Sequence, residues 1–235
     1  MMIPGLDLET SQAAIRLAEK YENIYAAVGF HPNEAYKWDE TSAESIRQLS
    51  QHPKVLAIGE IGMDYYRNTT NKEVQMEVLR QQLQLAADMD LPVIIHNRKA
   101  SDDLYPILLD WQKGMATSTK NHAKQAGVLH AFNEDHPLLE KLVEANFYFG
   151  MGGPITYANN KNTSLLVTSI PINRLLLETD APFLPPHPYR GQRNEPAYTQ
   201  LIAAKVATLF SKKVDEIAEI TFSNTTRLFS WRREQ

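Results

Sequence analysis

Short runs of apolar, often β-branched residues alternate along the whole chain with longer amphipathic segments. The amphipathic segments place apolar side chains at helical spacing, as at Val74, Val78 and Leu79, so each is predicted to be a helix. This alternation is typical of repeated βα units with a parallel sheet. The strands are predicted at residues 1–5, 24–30, 55–62, 92–96, 127–132, 147–152 and 175–180.

The sequence pattern shows no sign of a domain boundary. No linker or block of like charge interrupts the βα pattern, so a single domain over residues 1–235 is predicted. After the last strand, Asn224 is predicted to cap the final helix. The helices are predicted over residues 8–22, 42–51, 72–89, 101–113, 135–146, 161–170, 195–210, 213–220 and 224–231.

Seven consecutive βα units fit either an open doubly wound sheet or a (β/α)₈ barrel. The two differ in where the site lies, because an open sheet concentrates it at one switch point and a barrel collects side chains from many strand ends. Chemically capable residues follow most of the predicted strands here, which favours an α/β fold of the TIM-barrel type. These residues are His31, Glu60, Asp64, His96, His130 and Asp180.

Composition narrows the chemistry of such a site. The 235 residues include no cysteine, so disulfides and thiolate metal sites are excluded and a metal must be held by His, Asp or Glu. The same absence fits a reducing compartment, and no signal peptide or membrane-length apolar run is visible, so a cytoplasmic protein without a membrane partner is predicted. A net charge of −4 argues against a broad nucleic-acid-binding face but allows a local basic patch.

Four of the strand-end residues form a candidate metal site. Intervals of 36, 34 and 50 residues separate Glu60, His96, His130 and Asp180, so each is expected to return to the same face of the sheet. Two imidazoles and two carboxylates suit Zn²⁺, Mn²⁺ or Mg²⁺, and a carboxylate such as Glu60 can bridge two ions. Asp180 would bind one ion and orient or deprotonate its water. Taken alone, His31 is interpreted as a structural histidine.

Cationic side chains are predicted near the same mouth. His187, Arg190 and Arg193 lie in a proline-rich loop after the last strand, and Arg98 follows the fourth strand. An acidic protein that places cations around a metal site is suited to an anionic substrate. These four residues are therefore predicted to bind substrate, with phosphate as the favoured group.

Several stretches together resemble the TatD family of metal-dependent hydrolases. They are GFHP, GEIGMDYYR, PVIIHNR, HAF, ETDAPFLPP, RGQRNEP and NTTRLF, and they cover nearly the whole chain. The resemblance implies a TIM barrel of the metal-dependent hydrolase type, two divalent ions in the complete site, and 3′-to-5′ trimming of DNA ends or related nucleic acid. It also implies that Glu60 bridges the ions, that His96 and His130 bind one, and that Asp180 binds the other and activates water.

One feature of that family is not found in this sequence. The family's first strand bears a His-x-His pair of metal ligands, and the seven histidines of this chain contain no such pair. The opening segment MMIPGLDLETS matches the family's second strand in character, so the first βα unit is expected to be missing. On this basis the chain is expected to have weak or no nuclease activity, recovered when an upstream His-x-His segment is restored.

Two alternatives to a nuclease remain open at this point. Metal-dependent chemistry serves carbonyl as well as phosphoryl centres, so a D-aminoacyl-tRNA deacylase or another ester or amide hydrolase of the superfamily is possible. A non-catalytic barrel fragment that only binds other molecules is the other alternative. The missing ligand pair favours it, whereas the retention of Glu60 and Asp180 at apolar strand ends opposes it.

Overall fold

Seven parallel strands form the centre of the molecule, as predicted. The computed structural model describes residues 1–67, 69–115, 124–158 and 161–230. Each strand pairs with the next one along the chain. The strands are β1 (Met2–Pro4), β2 (Tyr25–Val28), β3 (Val55–Asp64), β4 (Val93–Arg98), β5 (Gly127–Leu129), β6 (Phe147–Met151) and β7 (Leu175–Leu177).

Helices follow the strands and pack on the outside of the sheet. Among the described residues, no helix has both the length and the apolar content required to cross a lipid bilayer. The helices are α1 (Leu8–Lys20), α2 (Ser42–Ser50), α3 (Lys72–Met89), α4 (Ser101–Gly114), α5 (Leu139–Glu144), α6 (Lys161–Ser169), α7 (Thr199–Leu209) and α8 (Val214–Phe229).

The order of the strands separates a barrel from a doubly wound sheet. A doubly wound sheet reverses its strand order at a switch point, whereas here the order runs from β1 to β7 without reversal. Consecutive parallel neighbours with helices on one side are the arrangement of a TIM barrel. The predicted fold class is therefore confirmed.

Two apolar clusters occupy the two faces of the curled sheet. The larger one joins the strands to the helices and includes Val28, Ile58 and Ile95. The smaller one takes alternate residues of the strands, and the C-terminal end of α8 contributes Leu228 and Phe229 to it. Because successive strand residues point to opposite faces, this smaller cluster marks the interior of the barrel. Its strand residues are Ala27, Ala57, Ile94, Val128, Tyr148 and Leu176.

Several predicted boundaries were wrong. Strands β5 and β7 end at Leu129 and Leu177, so His130 and Asp180 lie in the loops beyond them. Strand β3 runs on to Asp64, because its last residues continue to pair with β4 through Arg98. For β5 the limit has no local signal, since apolar residues continue past Leu129 to Phe132, whereas β7 ends where its apolar run ends, at Leu177.

The predicted break near the end of the chain was also wrong. A single helix, α8, covers Val214–Phe229, and Asn224 lies inside it and does not cap a new helix. The buried Asn224 amide donates hydrogen bonds of 2.9 Å to the carbonyl oxygens of Ile172 and Leu175. These tertiary bonds satisfy the side chain that would otherwise compete with the helix backbone. Residue 231, the predicted end of the last helix, lies outside the described residues.

Candidate metal centre

The strand side chains that face the barrel interior keep the same alternation up to the polar ends of the strands. Ile94, Val128 and Leu176 face the interior, and two residues further along come His96, His130 and Glu178. Because side chains alternate along a strand, residues two apart share a face. These three polar side chains therefore form the layer above the interior apolar cluster.

Glu60 reaches the same interior through a β-bulge. Ile58 and Ile61 both belong to the outer cluster although they are three residues apart, and they pair with Val93 and Ile95, which are only two apart. One extra residue on β3 is therefore accommodated between them. Without this bulge Glu60 would share the outward phase of Ile58, so the bulge is what turns the carboxylate into the barrel.

Gly62 on β3 lies directly against the backbone of His96 on β4. Its φ of 144° lies in a region that side chains disfavour, and an added Cβ would collide with the backbone of His96. A glycine at this position lets β3 and β4 approach closely beside the polar layer. The GEIG segment therefore supplies both the carboxylate and the close approach that brings His96 beside it.

One oxygen of Glu60 is the centre of the site. Its Oε1 atom lies 2.8 Å from Nδ1 of His96, and 3.7 Å from Nε2 of both His31 and His130. Asp180 completes the group, with Oδ1 3.9 Å from Nε2 of His130. We call these five residues the Glu60 cluster. The structure thus brings together all four residues that the sequence predicted as metal ligands.

His130 is held by a carboxylate outside the cluster. Oε1 of Glu178 lies 3.0 Å from Nδ1 of His130 and accepts a 2.7 Å hydrogen bond from the amide of Ala131. Glu178 in turn packs over Gly150, where a Cβ would leave it no room. With Nδ1 bound to a carboxylate, Nε2 of His130 is left to face Glu60 and Asp180. Glu178, the first of the two acids that follow β7, therefore orients an imidazole.

His96 also has a second carboxylate. Its Nε2 atom lies 3.2 Å from Oδ2 of Asp64, which also accepts a 3.3 Å bond from the amide group of Asn33. The other oxygen of Asp64 accepts from the backbone amides of Tyr66 and Arg67 at 2.9 and 3.0 Å. Asp64 therefore fixes the ring of His96 and the start of the loop after β3 together.

His31 differs from the other two histidines. It lies at the start of a 3₁₀ helix over Pro32–Lys37, where its Nδ1 atom accepts a hydrogen bond of 3.1 Å from the backbone amide of Asn33. Its ring packs edge-on against that of His96, with centroids 4.3 Å apart. His31, Glu60 and His96 together offer ligand atoms within 4.8 Å of one another. The sequence alone suggests a structural role for His31, whereas the structure places it in the Glu60 cluster.

Burial and charge set the protonation of the cluster. Burial would raise the pKa of Glu60, but His130 and His96 outweigh it and lower the pKa to about 2. Burial would lower the pKa of His130, but Glu178 and Glu60 raise it to about 10. Burial lowers the pKa of His31 to about 4 and raises that of Asp180 to about 6. The metal-free cluster thus pairs an ionised Glu60 with a protonated His130.

Two buried glutamines of α3 position the strand ends. Gln82 accepts from the amide of Phe30 at 2.7 Å and donates to its carbonyl at 3.0 Å, directly before His31. Gln75 does the same for Asp64, at 2.8 and 3.0 Å. Their spacing of seven residues places both on the inner face of the helix. The helical periodicity marked this face, but it did not distinguish a glutamine that clamps a strand from one in solvent.

The four predicted substrate-binding residues lie apart from the cluster. Arg98, His187, Arg190 and Arg193 are exposed, and within the described ranges no hydrogen bond or ion pair joins their side chains to the Glu60 cluster. The guanidinium of Arg98 stacks on Tyr66, 3.8 Å from the ring centroid, and that of Arg190 lies 4.8 Å from the centroid of Tyr157. Their role in substrate binding stays a prediction.

The donor set fits a divalent ion. Two ligands of one ion can be at most about 4.2 Å apart, which is twice a typical metal–nitrogen distance. The separations of Glu60 from His96 and His130, and of His130 from Asp180, are 2.8, 3.7 and 3.9 Å. Imidazole nitrogens whose other nitrogen contacts a carboxylate are also the usual arrangement of metal-binding histidines. The chemistry and the distances therefore both suit a metal centre.

Comparison with known proteins agrees with this geometry. A family model described as TatD related DNase matches residues 1–230. The uncharacterized metal-dependent hydrolase YabD of Bacillus subtilis is 41% identical over 231 residues, which cover 97% of this chain and 86% of YabD. The 3′-5′ ssDNA/RNA exonuclease TatD of Erwinia amylovora is 36% identical over 235 residues, which cover 97% of this chain and 87% of that enzyme.

A solved structure extends the agreement to the fold. The crystal structure of YjjV, a TatD homolog from Escherichia coli K12, superposes with a TM-score of 0.88 at 33% identity, over 98% of this chain and 86% of that one. The resemblance that the sequence motifs suggested is confirmed by the family model and by these relatives. The chain belongs to the TatD-related DNase family.

Proposed function

We propose that this chain is a divalent-metal-dependent hydrolase that cleaves phosphodiester bonds of single-stranded nucleic acid from an end. The observation that carries the proposal is the single oxygen of Glu60 that lies within 3.7 Å of nitrogens of three imidazoles at the mouth of the barrel. The exonuclease among the relatives, which is named for ssDNA and RNA, supports the choice of substrate.

The proposed ligands are Glu60, His96, His130 and Asp180. His130 is favoured because Glu178 occupies its Nδ1 atom and leaves Nε2 for an ion, and His96 because Asp64 occupies its Nε2 atom and leaves Nδ1. Zn²⁺, Mn²⁺ and Mg²⁺ all suit nitrogen and carboxylate donors, and a second ion would share Glu60. When bound, such ions polarise the phosphoryl group and lower the pKa of water.

His31 is proposed as a hydrogen-bond donor and not as a ligand. The backbone amide of Asn33 donates to its Nδ1 atom, so the neutral ring carries its proton on Nε2, which faces Glu60 at 3.7 Å. An Nε2 atom that keeps its proton does not bind a metal, whereas Nε2 of His130 can exchange its proton for an ion because Glu178 holds a proton on Nδ1. The N–H of His31 instead orients Glu60 or a phosphate oxygen.

Asp180 is proposed to accept the proton of the attacking water. Its carboxylate lies in the loop after β7, only partly exposed, and its backbone has a φ of 56°. This conformation brings the side chain back over the mouth, 3.9 Å from His130. The exposed cations Arg98, Arg190 and Arg193, with His187, would neutralise phosphates that lie outside the metal centre.

The proposal is tested with metal-stripped protein that is reloaded separately with Mn²⁺, Zn²⁺ or Mg²⁺. We expect slow, stepwise shortening of end-labelled single-stranded DNA only with metal, because the sequence holds no His-x-His pair, and elemental analysis then gives the number of ions. Asp180→Asn should slow cleavage by about 10²- to 10⁴-fold, as for the loss of a general base. Glu144→Gln, an exposed acid at the end of α5, is the matched control.

Two results would contradict the proposal. One is cleavage that survives both chelation and Asp180→Asn. The other is release of D-amino acids from charged tRNA by a metal-loaded chain that leaves DNA intact, which would favour the ester-hydrolase alternative.

A further inference from the structure

We propose that Tyr66, Arg98 and Lys99 form a docking platform for one nucleotide of a single-stranded nucleic acid beside the metal centre, with the Tyr66 ring stacking on the base and the two cations binding the adjoining phosphates. This inference deepens the proposed function and rests on it for the choice of substrate. We call these three residues the Tyr66 platform.

The first step concerns the two tyrosines after β3. Tyr65 is committed to the fold, because its hydroxyl donates a 2.7 Å bond to Asp103 and its ring lies 4.0 Å from the ammonium of Lys72. Tyr66, in contrast, keeps 54% of its surface exposed. Bases stack on such rings whatever their identity.

The second step concerns the cations on that ring. The guanidinium of Arg98 stacks 3.8 Å from the centroid of Tyr66, and the ammonium of Lys99 lies 5.0 Å from it. A guanidinium stacked on a ring keeps its N–H groups in its own plane, where they can still donate to a phosphate. Within the described residues no carboxylate lies within ion-pair distance of either cation. Their charge is therefore available to a ligand.

The third step is the link to the metal centre. The backbone amide of Tyr66 donates a 2.9 Å bond to Asp64, whose other oxygen contacts His96 at 3.2 Å. Arg98 follows His96 by two residues on β4 and pairs in register with Asp64. The platform is thus fixed to the two strands that carry Glu60 and His96. A nucleotide on it would lie next to the bond that the centre cleaves.

The interior of the mouth and its rim carry opposite charges, which also supports the Tyr66 platform. Glu60, Asp64, Glu178 and Asp180 give the interior of the mouth four carboxyl groups, which repel a polyanion. Cations at the rim attract the nucleic acid and hold it while its end enters the mouth. This accounts for a basic rim on a protein whose net charge is −4.

The test measures binding to the metal-loaded chain by fluorescence anisotropy, with phosphorothioate DNA and RNA oligonucleotides that resist cleavage. Tyr66→Ala should weaken binding roughly five- to hundredfold, as for the loss of one stacked base. Tyr66→Phe keeps the ring and should bind like the native chain. Tyr21→Ala is the matched control, because Tyr21 follows α1 at the other end of the barrel and is 56% exposed.

Salt dependence separates the roles of the ring and the cations. Arg98→Ala should reduce the slope of log affinity against log salt by about 0.7, the value for one phosphate contact with a single strand, while Tyr66→Ala should leave the slope unchanged. Lys99→Asn should act like Arg98→Ala. Asparagine is chosen because Lys99 has a φ of 57°, which asparagine tolerates better than alanine.

Equal affinities of native chain and Tyr66→Ala, or no binding by the native chain to either oligonucleotide, would overturn the inference. Binding of only DNA or only RNA supports it and identifies the substrate sugar. Because the oligonucleotides are not cleaved, a chain that fails to hydrolyse ordinary DNA yet loses affinity on Tyr66→Ala would count against the proposed function alone.

Discussion

At the scale of single residues, the acids outside the Glu60 cluster decide which nitrogen each histidine presents. Glu178 contacts Nδ1 of His130 at 3.0 Å and accepts a hydrogen bond from the backbone amide of Ala131. Such carboxylates fix the tautomer of a metal-binding histidine and make it more basic. Glu178 is thus a positioning residue, although it lies in the same ETD segment as the proposed ligand Asp180.

The first prediction concerns this positioning. Glu178→Gln keeps an oxygen for the amide of Ala131 but removes the charge beside His130. We expect metal affinity to fall about 10- to 100-fold, the usual loss when such a partner is removed. Competition with a coloured chelator measures it.

Glu144→Gln is the control for this change and should leave metal affinity unaltered. An unchanged affinity for Glu178→Gln would show that His130 does not bind the ion through Nε2. A change in the melting temperature of the metal-free protein would report lost packing, so it is measured on the same samples.

Part of the candidate site could be predicted from the sequence at this scale, and part could not. The spacing of strand ends was sufficient to select Glu60, His96, His130 and Asp180, because all four share one mouth. Asp64 and Glu178 could not be assigned, since their value depends on which imidazole nitrogen they touch. The bulge that turns Glu60 inward was also invisible, because Gly59 and Gly62 suggest close approach without specifying register.

At the scale of elements, the loop between β1 and α1 is held by one acid. Asp7 caps α1 by accepting from the amide of Thr10 at 3.0 Å, and it pairs with Lys37 of the 3₁₀ helix at 2.7 Å. Burial would raise the pKa of Asp7, but Lys37 and Thr10 outweigh it and lower the pKa from 3.8 to about 2. The acid therefore joins two elements on either side of β2.

The second prediction follows from that pKa. A group whose pKa is lower in the folded state stabilises the fold above its unfolded pKa and loses this contribution as the pH falls through the folded value. Asp7 should therefore contribute fully near pH 5 and progressively less between about pH 4 and pH 2. Asp7→Asn retains a capping oxygen but loses the ion pair with Lys37.

Urea unfolding at a series of pH values measures the effect. The difference in free energy of unfolding between the native chain and Asp7→Asn should shrink as the pH is lowered from 5 to 3. Asp110→Asn, which removes an exposed acid of α4, should show no such trend. A difference that stays constant with pH would mean that Asp7 acts only as a cap.

Elements were predicted well in kind and less well in extent. The apolar runs identified all seven strands because buried parallel strands are apolar on both faces. Their ends were missed, as at Leu129, where pairing stops although apolar residues continue to Phe132. The continuity of α8 depends on the bonds of Asn224 to the segment before β7, and such long-range contacts leave no local signal.

At the scale of the whole molecule, the proposed ion would connect distant parts of the chain. Its ligands come from β3, from β4 and from the loops after β5 and β7, which are separated along the sheet. The strand ends that carry them suggested a barrel before any geometry was known, because only a closed arrangement gathers so many ends. One domain over residues 1–235 stays a prediction.

The last prediction uses this connection. A ligand that binds only the folded state adds about 2.7 kcal/mol at a concentration one hundred times its Kd. For a chain of this size that corresponds to a rise in melting temperature of roughly 5–10 °C.

Mn²⁺ or Zn²⁺ should produce this rise in the native chain and chelation should reverse it, as followed by circular dichroism. Glu60→Gln should lose most of the rise, because Glu60 is the one residue in the described part of the chain that contacts all three imidazoles. Glu144→Gln should keep the rise in full. If the native chain melts at the same temperature with and without metal, the polar mouth would be a network of internal ion pairs, and the case for a metal-dependent hydrolase would fail with it.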